Sequence, residues 1–218
     1  MWFIRKYTKI RANIIAILSF LHKLSQLNYL DKLKEQVFLI YPLDDSAWDD
    51  LANSWELVEY KRKQLLTREG EVEKYLYWVA SGVQRAYYLH GDKEATLVFS
   101  YEPSFSGVID SFFTRTPSKY YLETLTTSIL LRIHYSDLEQ LMRKHRCIEA
   151  WILKALTFVL QGTLQRQVEL MSFTAEEKFI TLLKRSPHVL NLIPHKYLAS
   201  YIGVDPATFS KLLGSVKL

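Results

Sequence analysis

The residue types that most often catalyse reactions or hold metal ions are present in this chain, but not at the spacings that such chemistry needs. Its six histidines stand at positions 22, 90, 134, 145, 188 and 195, and no pair has the His-x3-His spacing of helical metal ligands. The sequence has no glycine-rich phosphate loop and no Gly-x-Ser-x-Gly motif. The acidic pairs at 44–45 and 49–50 lie at a predicted helix start, where capping explains them. We therefore predict a protein that is not an enzyme, with no metal site and no identified cofactor.

Cys147 is the only cysteine in the chain. One thiol can form neither an internal disulfide nor a four-cysteine iron–sulfur cluster, although a haem or another small molecule stays possible. This usage predicts a reducing compartment, and we expect a cytoplasmic protein.

The charge balance is mildly basic. The chain has 28 Lys and Arg residues against 23 Asp and Glu residues, a formal charge of +5 and a pI of about 9.1. Such a surface suits a nucleic acid or an anionic membrane as a partner. Hydrophobic residues make up 49% of the 218 residues, which is enough for the core of one or two domains.

Residues 195–214, HKYLASYIGVDPATFSKLLG, have the outline of two short helices joined by a turn. Gly203 supplies the turn, because glycine enters left-handed backbone space at no steric cost. Asp205 is a good N-cap, and Pro206 fits the first helical position. The apolar positions share one face: Leu198, Ala199, Ile202, Phe209, Leu212 and Leu213. The pattern predicts a helix-turn-helix, which is either a DNA-reading unit or the last hairpin of a helical subdomain.

Two residues at the start of the first of these helices could contact a nucleic-acid backbone. Lys196 and Tyr197 stand where positive charge and a helix N-terminus favour phosphate. Alternatively, Lys196 is a solvated lysine and Tyr197 packs between the two helices. From residue 172 onward, six Lys and Arg residues stand against three acidic residues, so positive charge is concentrated where DNA binding would need it.

Before this hairpin, the spacing of apolar residues changes along the chain from a helical pattern to the alternation of strands. Residues 42–56 predict a helix capped by Asp44 or Asp45. Residues 57–104 then alternate in polarity, with turn signals at 69–71, 81–82 and 90–92, and residues 120–133 have the pattern of a closing pair of strands. Short strands at this spacing predict an antiparallel barrel or roll.

A long helix is predicted from Glu149 to Met171, where there is no proline and one glycine. It carries an apolar stripe at steps of three and four: Ile152, Leu156, Leu160, Leu164, Val168 and Met171. The stripe either packs on the roll of its own chain or pairs with the same helix of a second subunit. We favour a dimer interface formed by the first five of these residues, because a small β domain offers limited surface. Next, Thr174 and Glu177 predict a capping box at the start of the following helix.

The first 25 residues contain five Lys and Arg residues, no acidic residue, and an apolar run from Ile14 to Leu21. The run is too short to span a bilayer, and no small-x-small cleavage site follows it. We expect an amphipathic or apolar helical extension, with membrane association as the alternative.

The order of roll, long helix and helix-turn-helix resembles the cyclic-AMP receptor protein/fumarate-nitrate regulator (Crp/Fnr) family. Four segments carry the resemblance: LLTREGEVEKYLYWVASGVQRAYY (65–88), SFFTRTPSKYYLETL (111–125), TAEEKFITLL (174–183) and IPHKYLASYIGVDPATFSKL (193–212). The resemblance implies an α+β fold with an N-terminal antiparallel β-roll of the cyclic-nucleotide-binding type and a C-terminal winged helix-turn-helix-like domain. The expected parts are an extension (1–25), an effector-type roll (26–147), a dimerisation helix (148–171) and a DNA-binding domain (172–218).

The resemblance also points to a degenerate effector pocket. Cyclic-nucleotide binders of the family carry a Gly-Glu pair for the ribose hydroxyl and an Arg-Ser or Arg-Thr pair for the cyclic phosphate. Here those places read FSGV (105–108) and PSKY (117–120), so valine replaces the glutamate and the arginine is missing. Lys119 stands near the place of the missing arginine, but its ammonium is a point charge and cannot bind a phosphate through two parallel hydrogen bonds as arginine does. The resemblance therefore implies that cyclic AMP does not bind in the usual way, and that the roll is a scaffold or holds an unknown ligand. Its candidate pocket residues are Phe105, Gly107, Val108, Ser118, Lys119 and Tyr120.

By the same resemblance, the second helix of the hairpin reads DNA through Thr208, Ser210 and Lys211. Lysine stands where the family commonly has arginine, and it gives less geometric selection of a base. The resemblance thus implies a bacterial, homodimeric, site-specific transcription regulator that binds double-stranded DNA, with RNA polymerase as a possible partner. The alternative is a degenerate regulator that acts through protein or membrane contacts without specific DNA binding.

Overall fold

Two antiparallel sheets form a roll in the first half of the molecule. The computed structural model describes residues 26–215. The strands are β1 (Glu56–Tyr60), β2 (Leu65–Thr67), β3 (Tyr75–Ser81), β4 (Val83–His90), β5 (Lys93–Tyr101), β6 (Ser104–Ser106), β7 (Tyr121–Thr124) and β8 (Ser128–His134). They form two four-stranded sheets of order β1-β8-β3-β6 and β2-β7-β4-β5. Most consecutive strands change sheet, and the predicted antiparallel roll is confirmed.

The turns of the roll follow the sequence signals. The β4–β5 hairpin closes at Gly91, whose φ of 59° lies in the left-handed region. The strands predicted over 120–133 do form, but they are not partners of each other. Strand β7 pairs with β2 and β4, whereas β8 pairs with β1 and β3 in the other sheet.

Helices flank the roll and make up the rest of the described chain. They are α1 (26–40), α2 (Asp45–Asn53), α3 (Ile109–Thr114), α4 (Tyr135–Lys144), α5 (Arg146–Ser172), α6 (Ala175–Arg185), α7 (Val189–Leu192), α8 (His195–Ile202) and α9 (Pro206–Ser215). Asp44 caps α2, and its carboxylate accepts the amide of Ala47 at 2.8 Å. The predicted capping box of Thr174 and Glu177 is confirmed at α6. Between residues 174 and 215 the described chain contains no strand, so no wing accompanies the helices there.

Strand alternation divides the apolar residues of the roll between two cores. Tyr77 and Val79 on β3 point into the roll, with Val108 and Leu130. Their neighbour Trp78 points outward and packs with residues of α1, α2, α4 and α5. A third core joins α6, α8 and α9, and Val83 and Leu125 of the roll belong to it. The helical domain is thus packed directly on the roll. The predicted segment 1–25 lies outside the described residues.

Candidate nucleic-acid interface and effector site

The helix-turn-helix forms as the sequence predicts. Gly203 has a φ of 69° in the left-handed region, and the amide of Val204 donates to the carbonyl of Ala199 at 3.0 Å, which closes the end of α8. The Asp205 carboxylate accepts the amides of Ala207 and Thr208, both at 2.9 Å, and so caps α9. These local bonds fix the angle between the two helices.

Helix α9 turns one side inward and leaves the other open. Phe209 is fully buried against Phe179, with their ring centroids 5.3 Å apart. Ser210 and Lys211 are exposed, and Lys211 forms no ion pair with any residue between 26 and 215. The third predicted contact, Thr208, is half-buried, and its hydroxyl donates to Asp205 at 2.6 Å. Lys211 is therefore the most available of the three.

Lys196 and Tyr197, the two predicted backbone contacts at the start of α8, differ in their surroundings. Lys196 is exposed, whereas the Tyr197 ring contacts a side chain of the roll. The guanidinium of Arg85 on β4 lies 3.8 Å from the centre of the Tyr197 ring. The Tyr197 ring also packs against the core that α6, α8 and α9 share, so Tyr197 contacts both the helix-turn-helix and the roll. Its predicted phosphate contact stays a prediction. The sequence could not reveal the contact with Arg85, because Arg85 is far from Tyr197 in the chain and no spacing of neighbouring residues indicates it.

Arg85 is a buried charge held by several partners. Its side chain is 1% exposed, and its guanidinium nitrogens lie 2.6 Å from Glu123 and 2.7 Å from Glu94. It also lies 4.2 Å from the ring centre of Tyr87. Two carboxylates and aromatic faces can satisfy a guanidinium in this way, because its planar fork offers five donors.

Helix α8 is docked on the edge strand β5 by direct hydrogen bonds. The Ser200 hydroxyl accepts the amide of Thr96 and donates to the carbonyl of Glu94, both at 2.9 Å. Tyr201 packs on Phe99 with a ring distance of 5.2 Å. Much of α8 is therefore covered by the roll, whereas Ser210 and Lys211 on α9 stay exposed.

The predicted dimer stripe on α5 winds around the helix instead of staying on one side. Ile152 is buried under the roll of its own chain, and Leu156 packs against the same core. Leu160, Leu164 and Val168 are 58%, 53% and 51% exposed. Residues four apart advance by about 40° on an α-helix, so the two ends of such a stripe face different directions. Packing on the roll of the same chain therefore describes Ile152 and Leu156, whereas Leu160, Leu164 and Val168 are exposed, and their pairing with a second subunit stays a prediction.

A straighter seam is available to a partner helix. Leu153, Leu160, Leu164 and Met171 follow one another at steps of seven, four and seven, and they are 68%, 58%, 53% and 77% exposed. These steps place all four residues at the a and d positions of a heptad repeat, which face one partner in a coiled coil. The sequence reading missed Leu153 because it followed the steps of four. In the described residues, α5 is also the one helix long and apolar enough to cross a membrane by length and composition.

The six candidate effector residues do not form one pocket. Phe105 lies outside the roll, where its ring is 5.7 Å from that of Trp151. Lys119 is exposed, and Tyr120 is half-buried at the edge of the inner core. Val108 and Ser118 are buried, and Gly107 is half-buried beside Val108. Gly107 has a φ of 142°, and a Cβ there would come within 3.3 Å of the Tyr75 carbonyl oxygen.

Glu73, which the sequence reading did not single out, is buried beside Val108. It is 1% exposed, and its carboxylate accepts the hydroxyl of Thr67 at 2.5 Å and the amide of Val108 at 3.2 Å. Burial raises the pKa of the Glu73 carboxyl, and these hydrogen bonds oppose the rise. Glu73 also lines a cavity of about 480 Å³, together with Tyr60, Tyr75 and Arg132.

The comparisons with known proteins agree with this architecture. Residues 57–145 match the family model of the cyclic nucleotide-binding domain. FixK2 from Bradyrhizobium japonicum superimposes with a TM-score of 0.66 at 16% identity, over 73% of this chain and 83% of that one. The c-di-GMP-responsive global regulator CLP from Xanthomonas campestris gives 0.60 at 20% identity, over 78% and 90%. A protein from Eubacterium rectale, described as a transcriptional regulator of the Crp/Fnr family, gives 0.62 at 13% identity, over 79% and 82%. A search of the curated proteins found no match.

Proposed function

We propose that this chain, which carries a domain of the cyclic nucleotide-binding family in the Crp/Fnr fold, is a homodimeric, site-specific DNA-binding transcription regulator. The observation that carries the proposal is the open face of α9, with Ser210 and Lys211 exposed and Phe209 holding the opposite face in the core. A helix with one buried face and one polar exposed face can enter the major groove. Further contacts in this proposal are Thr208 on the same helix and Lys196, which is exposed at the start of α8.

The proposed dimer forms through α5. Two copies of the exposed seam would pair and bring two α9 helices to the same side of the molecule. The half-sites on DNA would then lie about 34 Å, or one helical turn, apart. In this scheme the parts of the chain act as an extension (1–25), a roll (26–147), a dimerisation helix (148–171) and a DNA-binding domain (172–218). The protein works in the bacterial cytoplasm, with RNA polymerase as its partner at promoters.

The regulator does not respond to cyclic AMP in this proposal. Val108 offers an isopropyl group where a ribose hydroxyl would need an acceptor, and Lys119 points its charge to solvent. The Ser118 amide donates to the carbonyl of Glu71 at 2.8 Å, and the Ser118 hydroxyl accepts the amide of Tyr120 at 2.9 Å. These groups are therefore already in use within the chain.

Selection from random DNA duplexes tests the proposal. The full chain is incubated with a duplex library at low salt, and bound duplexes are amplified and sequenced. We expect enrichment of a sequence with two related half-sites, and binding that weakens steeply as salt is raised. Recovery of the unselected library, with a folded dimer in hand, would contradict the proposal. That outcome would support action through protein or membrane contacts instead, which removal of residues 1–25 would then probe.

A further inference from the structure

Glu73 stands in a ring of hydrogen-bond donors inside the roll. Four donors meet its carboxylate: the hydroxyl of Thr67 at 2.5 Å and the amides of Lys74, Tyr75 and Val108 at 2.9, 3.1 and 3.2 Å. Among residues 26–215, no Lys, Arg or His side chain pairs with it within 4.0 Å. The groups that bind the carboxylate directly are therefore neutral donors, as in backbone anion sites.

One of these donors belongs to the segment that the family uses for its ligand. The Val108 amide follows Gly107 directly, at the place where nucleotide binders carry the glutamate for the ribose. The Glu73 carboxylate reaches that place from the opposite direction, from the loop between β2 and β3. The Glu73 carboxylate thus binds the ligand segment, residues 107–108, at the place where nucleotide binders of the family hold their ligand.

The backbone around Glu73 fastens the same two segments together. Its amide donates to the Ser111 hydroxyl at 3.0 Å, and its carbonyl accepts the Arg115 guanidinium at 2.6 Å. Next to it, the amides of Gly70 and Ser118 exchange hydrogen bonds with the carbonyls of Ser118 and Glu71, all at 2.8 Å. The β2–β3 loop and residues 107–120 are therefore locked to each other with no added molecule.

We infer that Glu73 is an internal ligand of the roll: its carboxylate fills an anion site formed by Thr67, Lys74, Tyr75 and Val108, and it keeps the ligand segment closed without an effector. A second anion cannot join it, because a like charge beside a buried carboxylate is strongly disfavoured. Truncating the side chain would leave the four donors aimed at an empty space of the size of a small carboxylate. The site would then take acetate or formate from solution.

Chemical rescue by acetate tests the inference. The inference rests on the proposed function for its regulatory meaning. The test itself uses no DNA, so a failure of DNA binding would not affect its result. The full-length Glu73→Ala variant is melted in sodium acetate and in sodium chloride of equal ionic strength. We expect a lower Tm than wild type in chloride and a rise of about 3 °C or more with acetate, as ligand linkage predicts. Wild type gains nothing specific from acetate, because its site is full.

Two controls keep the test decisive. Glu71→Ala removes an exposed carboxylate two residues away and is expected to show no acetate effect. Glu73→Gln fills the space but turns an amide donor toward other donors, so we expect a lower Tm that acetate does not restore. If Glu73→Ala does not fold in chloride, its refolding yield in acetate replaces the Tm. Equal behaviour of Glu73→Ala in acetate and chloride, or a Glu73→Gln variant as stable as wild type, would overturn the inference.

Discussion

In the proposed regulator, Lys211 is the residue on which recognition of DNA depends most directly. Its ammonium is exposed on α9 and is free of ion pairs among the described residues, so it can reach a base edge or a phosphate. We predict that Lys211→Ala lowers the affinity for the selected duplex about tenfold and relaxes base preference at one position of each half-site. Fluorescence anisotropy with the selected duplex and single-base variants measures both effects.

The matched control is Lys119→Ala, which removes another exposed lysine, from the roll. It is expected to leave the affinity unchanged. Equal losses for the two variants would show that only net charge matters, and would remove Lys211 from the base contacts.

The stabilisation that the Asp205 cap gives to the start of α9 depends on pH. The Thr208 hydroxyl and the amides of Thr208 and Ala207 hold the pKa of the Asp205 carboxyl below its usual range. A carboxyl with a lowered folded-state pKa stabilises the fold above the unfolded pKa, about 3.9, and this stabilisation is lost as the pH falls through the folded value. We predict that Asp205→Ala lowers the Tm at pH 7, and that the gap to wild type narrows below about pH 4.

Thermal unfolding from pH 7 to pH 2 measures this gap. Asp92→Ala, which removes an exposed carboxylate from the β4–β5 hairpin, serves as the control, and its gap is expected to be small throughout. A constant gap for Asp205→Ala into strong acid would mean that the cap works without its charge.

At the scale of elements, the contact between α8 and the roll depends on Arg85. Its removal would leave Glu123, which is 14% exposed, without its partner, and would take away the cation under Tyr197. Losing one partner of a buried pair typically costs about 3 kcal/mol or more. We predict a loss of this size in the free energy of unfolding for Arg85→Met, measured in urea.

Arg143→Met is the control for this variant. That arginine is 75% exposed and pairs with Glu139 one helical turn away, an arrangement worth less than about 1 kcal/mol. A loss for Arg85→Met as small as that of the control would show that the roll and the helix-turn-helix do not depend on the contact.

The α5 seam supports a direct test of dimerisation. A glutamate at Leu160 or Leu164 places charge in the centre of the proposed interface, at positions that are more than half exposed in the single chain. We predict that Leu160→Glu and Leu164→Glu shift the protein from dimer to monomer in sedimentation velocity, with unchanged circular dichroism. Gly162→Glu is the control, because its side chain would lie about 200° from both leucines and meet no neighbouring atom. Dissociation by Gly162→Glu as well would contradict the seam.

Local signals in the sequence predict the elements well. The Asp205 cap, the Gly203 turn and the Thr174–Glu177 capping box each involve residues within a few positions of one another, so their chemistry is visible in the chain. What the sequence could not reveal joins distant segments. Arg85 and Tyr197 meet only because α8 docks on the roll, and Glu73 meets Val108 only because the roll closes. The predicted stripe on α5 shares Leu160 and Leu164 with the exposed seam and departs from it at both ends, because steps of four drift around a helix.

At the scale of the whole molecule, the roll and the helix-turn-helix form one connected structure. The roll interior is held by Glu73, the roll surface is joined to α8 through Arg85 and Ser200, and α8 positions α9. A roll that needs no effector would fix the reading helices permanently. We therefore predict that cyclic AMP changes neither the Tm nor the affinity for the selected duplex, measured by thermal shift and anisotropy at millimolar nucleotide. A rise in either quantity would contradict this.

The most direct test of the account is the stoichiometry and specificity of the complex with DNA. Sedimentation of the full chain with a labelled selected duplex, beside a scrambled duplex of the same composition, gives both at physiological salt. We predict two chains on each selected duplex and an affinity at least about a thousandfold higher than for the scrambled one. Equal affinity for the two duplexes, or one chain on each duplex, would contradict it.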